Sequence, residues 1–256
     1  MTAFDELIRP EVYPRSSRYD PAWLIDLDMG PHPLWLLEDL CRDLDLTAGM
    51  RVLDLGSGNG ATSVFLAREF GVDVVASDWW VEAATAAAVF EAAGVADRVS
   101  AVRAEAHQLP YERESFDAIV SVDSWEYFGT ADSYPPYLLT FLKSGGQLGV
   151  ATPALTREPR DLGGIPPHIK AIFGWEAMAW HTPDWYRFQW ETTDMVDVTT
   201  ARLAPEGWSD WLRWERAGGP DTPRRSEQRA ATIALLEHDQ GEFLSFALIA
   251  ARKLGI

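Results

Sequence analysis

The chain has 256 residues, 47% of them apolar, and 22 Lys and Arg against 39 Asp and Glu give a net charge of -17. That length and apolarity suit a single α/β domain over residues 1–256, able to bury about three quarters of its unfolded surface. The charge excludes partners held through phosphate contacts, since nucleic-acid affinity is dominated by Lys and Arg against the backbone, and a neutral or cationic small molecule is the partner expected instead.

No apolar run approaches the ~18 residues that a membrane span needs. Met1 to Glu6 lacks the basic start and apolar run of a signal peptide. No membrane span and a cytoplasmic location are therefore expected. Cys41 is the one cysteine, so no internal disulfide forms and no multi-thiol site exists within the chain. His32, His107, His168, His181 and His238 show no metal-binding spacing, so no metal is indicated. Oligomeric state stays open, with a homodimer among the possibilities.

Residues 1–32 carry Pro10, Pro14, Pro21 and Pro31 between aromatics and read as a largely irregular arm. Within and beside it, Tyr19 and His32, the latter in Met29-Gly30-Pro31-His32-Pro33, are candidate substrate contacts. An amphipathic helix is expected from Leu34 to Leu44. A short strand near 51–55 then runs into Asp54-Leu55-Gly56-Ser57-Gly58-Asn59-Gly60 and a helix near 60–69. Alternating glycines let a backbone turn tightly and approach a ligand with no Cβ in the way. Because a dinucleotide fingerprint reads G-x-G-x-x-G, this D-x-G-x-G-x-G spacing points elsewhere. Asp54 beside the helix start would repel a phosphate and attract an amine or sulfonium.

Strands and helices go on alternating, with strands near 73–77, 98–103, 116–122 and 146–152 and helices near 81–93 and 134–143. Such alternation implies a parallel sheet with helices on both faces and right-handed crossovers. Asp78 closes the second strand, where a carboxylate about 20 residues past a glycine turn accepts ribose hydroxyls. After the third strand comes Glu105-Ala106-His107-Gln108-Leu109-Pro110, and the fourth opens Phe116-Asp117-Ala118-Ile119.

In that order, these segments resemble the class I S-adenosylmethionine-dependent methyltransferases, most closely the small-molecule enzymes acting on amines, quinones and fatty acids. The likeness is specific over roughly 48–154. It implies a Rossmann-like doubly wound, mostly parallel seven-stranded sheet with an antiparallel last strand and helical lid insertions. S-adenosyl-L-methionine is the cofactor it implies. Asp54, Gly56, Ser57, Gly58 and Gly60 would hold the methionine part, Asp78 the ribose, Glu105 and Ala106 the adenine edge, with Trp79 and Asp123 beside them. A cofactor core over 46–154 and lids over 155–193 and 204–240 complete the implied organisation. A nicotinamide-dependent oxidoreductase would explain the glycine turn and Asp78 but not Asp54, Glu105 or the spacing. A catalytically silent cofactor-binding protein would keep the pocket without turnover.

The segment after the fourth strand, Asp123-Ser124-Trp125-Glu126-Tyr127-Phe128, falls at the sheet edge where open α/β folds bind ligands. Glu126 among aromatics should have a raised pKa and serve as a base, where relatives often have His. His181, before the helix start Thr182-Pro183-Asp184, is the alternative base. Tyr127 and Trp180 are further substrate candidates. Trp175, Trp180, Trp185 and Trp190 follow at steps of five, each turning ~140° around a helix, so they cannot share one face. Some of them anchor a lid to the sheet or wall a pocket. Val196 to Leu203 and Phe243 to Ala251 read as the last two strands, with a helical stretch over 206–240 between them.

Overall fold

The computed structural model describes residues 3–218 and 223–255. Two short 3-10 turns, α1 (Pro21–Asp26), α2 (Pro33–Leu40) and a third 3-10 turn (Cys41–Asp43) precede the core. The core comprises β1 (Arg51–Leu55), α3 (Ala61–Phe70), β2 (Asp73–Asp78), α4 (Ala83–Ala92), β3 (Val99–Arg103), β4 (Phe116–Val122), α5 (Tyr134–Leu139) and β5 (Leu142–Leu155). It continues through α6 (Pro167–Phe173), α7 (Pro183–Glu191), β6 (Val196–Leu203), α8 (Gly207–Ala217), α9 (Pro223–Asp239) and β7 (Leu244–Lys253). Among the described residues the strands form one seven-stranded sheet in the order β3-β2-β1-β4-β5-β7-β6. The pairs from β3 to β5 are parallel, while β7 inserts antiparallel between β5 and β6, as the fold class anticipated.

Both faces of this sheet are covered, so its strands read as apolar runs rather than as alternating patterns. Val52, Val74, Ala118 and Val120 pack on one face with Leu37 of α2, Phe65 of α3 and Trp211 of α8. Leu53, Val75, Ile119 and Ile249 pack on the other with Leu138 of α5 and Trp190 of α7. Strand β5 starts at Leu142 rather than near 146, because the register jumps from Phe116↔Leu142 to Ala118↔Gln147 and the extra residues bulge out around Gly145.

The arm is less irregular than its prolines suggest. Asp20 caps α1, its side chain accepting from Ala22 N, with Pro21 at the first position; Thr182 and Pro183 start α7 in the same way. Proline at N1 lacks only an N–H that would be unpaired there, so it opens helices as readily as it breaks them. Tyr13 Oη donates to Asp210 Oδ2 (2.6 Å) and Arg9 ion-pairs with Asp210, which ties the arm to α8. The two expected lids hold α6 and α7, and α8 and α9; residues 219–222 of the second lie outside the described residues. Among the described residues no helix is long and apolar enough to cross a membrane.

Candidate functional site

The glycine loop lies where β1 ends at the C-terminal edge of the sheet. Gly56, Gly58 and Gly60 have φ of 78°, 53° and 96°, a region costly for side chains with a Cβ. All three also sit against neighbours; a Cβ on Gly56 would lie 2.2 Å from Ser124 Oγ and one on Gly58 2.9 Å from Met29 Sδ. Asp78 Oδ2 accepts from Gly58 N (2.8 Å), and its Oδ1 accepts from Trp80 N (2.7 Å) and Val81 N (2.9 Å). One carboxylate thus fixes the loop and the turn after β2, and it keeps lone-pair sites for a ligand.

A cavity of about 260 Å³ opens above this edge, lined among others by Gly56, Ser57, Gly58, Asp78, Trp79, Glu105, Ala106 and Asp123. Eight of the sequence-derived cofactor residues therefore meet on one wall. Glu105 reaches His107 with both oxygens, accepting from its backbone N (2.9 Å) and meeting Nδ1 (2.7 Å). His107, Trp80, Phe128 and the arm residues Leu27, Met29, Gly30 and Pro31 line the same space and were not singled out by sequence.

Two expected cofactor contacts lie elsewhere, and both corrections have a steric cause. Asp54 is buried under the loop, where its Oδ2 accepts from Thr62 Oγ1 and Ser63 Oγ, both at 2.6 Å. It fastens the first turn of α3 and does not line the cavity. Burial pushes its carboxyl up to about 6, against those two hydroxyls, which favour the ionised form. Gly60 is a packing glycine, since a Cβ there would meet Phe90 Cε1 of α4 at 2.4 Å.

A second cavity of about 460 Å³ adjoins the first; Met29, Gly30, Pro31, Asp123 and Tyr127 line both. Gly30 makes this shared wall possible, because a Cβ on it would fall 2.1 Å from Asp123 Oδ2. Asp123 sits in a left-handed bend (φ 52°) just past β4, its N–H bonded to Ala151 O (2.8 Å). Glu126 faces the second cavity, with Oε2 accepting from Thr152 Oγ1 (2.9 Å). Burial raises the Glu126 carboxyl to about 7, with Glu176 adding to the effect and Thr152 opposing it. Burial and the charges of Glu126, Asp28 and Glu215 raise Asp123 well above the carboxylate range. Two neighbouring acids raised by burial in one cleft make this a candidate functional site.

Tyr127 and Trp180 also face the second cavity, joined by Trp175 and Trp211. Three expected residues do not. His32 is buried, stacks on Trp35 (4.0 Å between centroids) and caps α2 by accepting from Trp35 N, and burial pushes its pKa down to about 3. Tyr19 is buried against Phe65 with its hydroxyl on Glu69 (3.2 Å). His181 stacks on Trp185 at 3.7 Å, its Nδ1 against Glu158 Oε2 (2.9 Å), off both cavity walls. Each sits in a proline-flanked segment whose direction is set by long-range packing, which local sequence does not encode.

Comparison with known proteins adds independent evidence. Residues 52–146 match a family described as a methyltransferase domain. A methyltransferase named GfsG from Streptomyces halstedii is 34% identical over 119 residues, 45% of this chain and 42% of that protein. Erythromycin 3''-O-methyltransferase from Saccharopolyspora erythraea is 27% identical over 243 residues, covering 86% of this chain and 78% of that one. Geranyl diphosphate C-methyltransferase from Streptomyces coelicolor A3(2), solved with Mg2+, geranyl diphosphate and S-adenosyl-L-homocysteine, shares the fold at TM-score 0.67 and 19% identity, over 92% of this chain and 88% of that one. The chain spans about half the length of the first curated relatives it matches. With the sheet order, glycine loop and strand-end carboxylate already in place, these matches identify residues 52–146 as a methyltransferase domain.

Proposed function

We propose that the chain binds S-adenosyl-L-methionine in the 260 Å³ cavity and directs its methyl group to a small-molecule acceptor in the 460 Å³ cavity. The observation that carries this reading is the shared wall, where Gly30, Asp123 and Tyr127 border both spaces at the ends of β1 and β4. The left-handed glycines and Asp78 fit the cofactor, offering close backbone approach and acceptors for hydroxyls. When bound, the cofactor supplies an electrophilic methyl for in-line displacement. The protein's part is to align the acceptor, exclude water and take a proton where the acceptor carries one. Alignment supplies much of the rate in such reactions.

Glu126 is the residue that takes the proton on this reading, and His181 is set aside because it lines neither cavity. A carboxyl near pKa 7 is well matched to proton transfer at neutral pH. His181→Asn should leave kcat near the parent value and act mainly on the Glu158 contact. A tenfold or larger loss of kcat in a folded H181N protein would reverse this assignment.

Asp78→Ala should weaken S-adenosylhomocysteine binding by about 10- to 150-fold, because losing hydrogen bonds to a charged group costs roughly 1.5–3 kcal/mol. Calorimetry on a variant with parent-like circular dichroism tests it; unchanged affinity removes Asp78 from the site. We extend the proposal to a cytoplasmic location and to acceptors other than nucleic acid. Methylation of tRNA or rRNA, with none on amine and phenol panels, would overturn the latter.

A further inference from the structure

The walls of the second cavity differ in sign from what a phosphate or carboxylate ligand needs. Among the described residues, Asp28, Asp123, Glu126, Glu176 and Glu215 line it, against one guanidinium, that of Arg229. Arg229 is already engaged, with Nε 3.6 Å from Glu215 Oε2 and a second nitrogen 3.9 Å from Asp28. Glu215 is aimed by Trp211, whose Nε1 donates to its Oε1 (2.9 Å). Trp175, Trp180, Trp211, Tyr127 and Phe173 supply aromatic surface in the same space. Carboxylates attract a cation at long range, and ring faces hold it once it is desolvated.

We infer that this cavity seats an amine-bearing, positively charged acceptor, its ammonium group among Asp28, Glu126, Glu176 and Glu215 with Tyr127, Trp175 and Trp180 around it. The inference deepens the proposed function and rests on it, since the cavity is a substrate site only if the adjoining one holds the cofactor. Four acids from the arm, the loop after β4, the turn before α7 and α8 converge here; burial raises Glu126 and Glu215 to about 7, with the charge of Glu176 adding to it at the first and that of Asp28 at the second. A bound cation relieves the repulsion between these charges; a neutral ligand of the same shape does not; an anion adds to it.

An isosteric series tests this: choline, 3,3-dimethylbutan-1-ol and 3,3-dimethylbutanoate differ in charge and little in shape. Binding to the S-adenosylhomocysteine-saturated protein, read by ligand-observed NMR, should favour choline over the alcohol by at least about tenfold, with no detectable butanoate binding. Glu215→Gln and Glu176→Gln should each weaken choline, whereas Arg229→Gln should tighten it by removing the competing charge. Equal affinity for choline and the alcohol, or butanoate binding that Arg229→Gln abolishes, would overturn the inference. Titration of S-adenosylhomocysteine on the same samples separates the two claims. If that ligand binds and the charge series is flat, only the cationic acceptor fails; if it does not bind, the cofactor reading fails, and the series repeated on the unliganded protein reports on the cavity's charge preference.

Discussion

Glu126→Gln is expected to lower kcat by about 10²- to 10⁴-fold with little change in S-adenosylhomocysteine affinity, the loss typical of removing a general base. The substitution keeps the shape and the hydrogen bond from Thr152 Oγ1, but removes the basic oxygen pair. In the parent, the rate should rise with pH through about 7 and then level off, because Glu126 must give up its own proton before it can take the acceptor's. Asp123, Glu176 and Thr152 all act on this carboxyl, so the midpoint belongs to the interacting group rather than to one residue. The Gln variant should lose that rise. Turnover near the parent value from pH 6 to 9 would mean that alignment alone drives transfer.

Gly58→Val should reduce S-adenosylhomocysteine affinity by more than ~100-fold, below calorimetric detection. Gly58 has φ 53°, a conformation that is an outlier for a β-branched residue, and its new Cβ would begin 2.9 Å from Met29 Sδ. Relief requires the loop to move, which would break the bond from Gly58 N to Asp78 Oδ2 and disturb the ribose acceptor with it. The sheet should persist, since the loop caps β1 rather than packing in either core layer. Gly58→Ala separates the causes by keeping the backbone penalty, roughly 1–2 kcal/mol, without the branched volume. Normal binding by the Val variant would reduce the glycine loop to a plain turn.

The residues that line the proposed cofactor cavity could be gathered from the sequence because their determinants are local. Gly56 and Gly58 announce a left-handed loop, Asp78 follows at the end of the next strand, and Glu105 and Asp123 mark the next two strand ends. A parallel sheet then brings those ends together whatever the helices do. Asp54 was misplaced because strand periodicity alternates faces, and at its position the side chain turns beneath the loop to Thr62 and Ser63.

The lining of the second cavity was not legible, apart from Glu126, Tyr127 and Trp180, which the sequence singled out and which do line it. Asp28, Glu176, Glu215 and Arg229 come from the arm, the segment before α7, α8 and α9, and each alone looks like an ordinary charged residue. His32 and His181 carried suggestive chemistry in loops, yet tertiary packing turned one onto Trp35 and the other onto Trp185. Sequence alone therefore determined the sheet, the glycine loop and the strand-end carboxylates at its edge, because backbone dihedrals and strand order are encoded within short spans. Only the tertiary structure decided which acids and rings share the second cavity, because that wall is assembled by packing between segments up to about two hundred residues apart, such as Asp28 and Arg229.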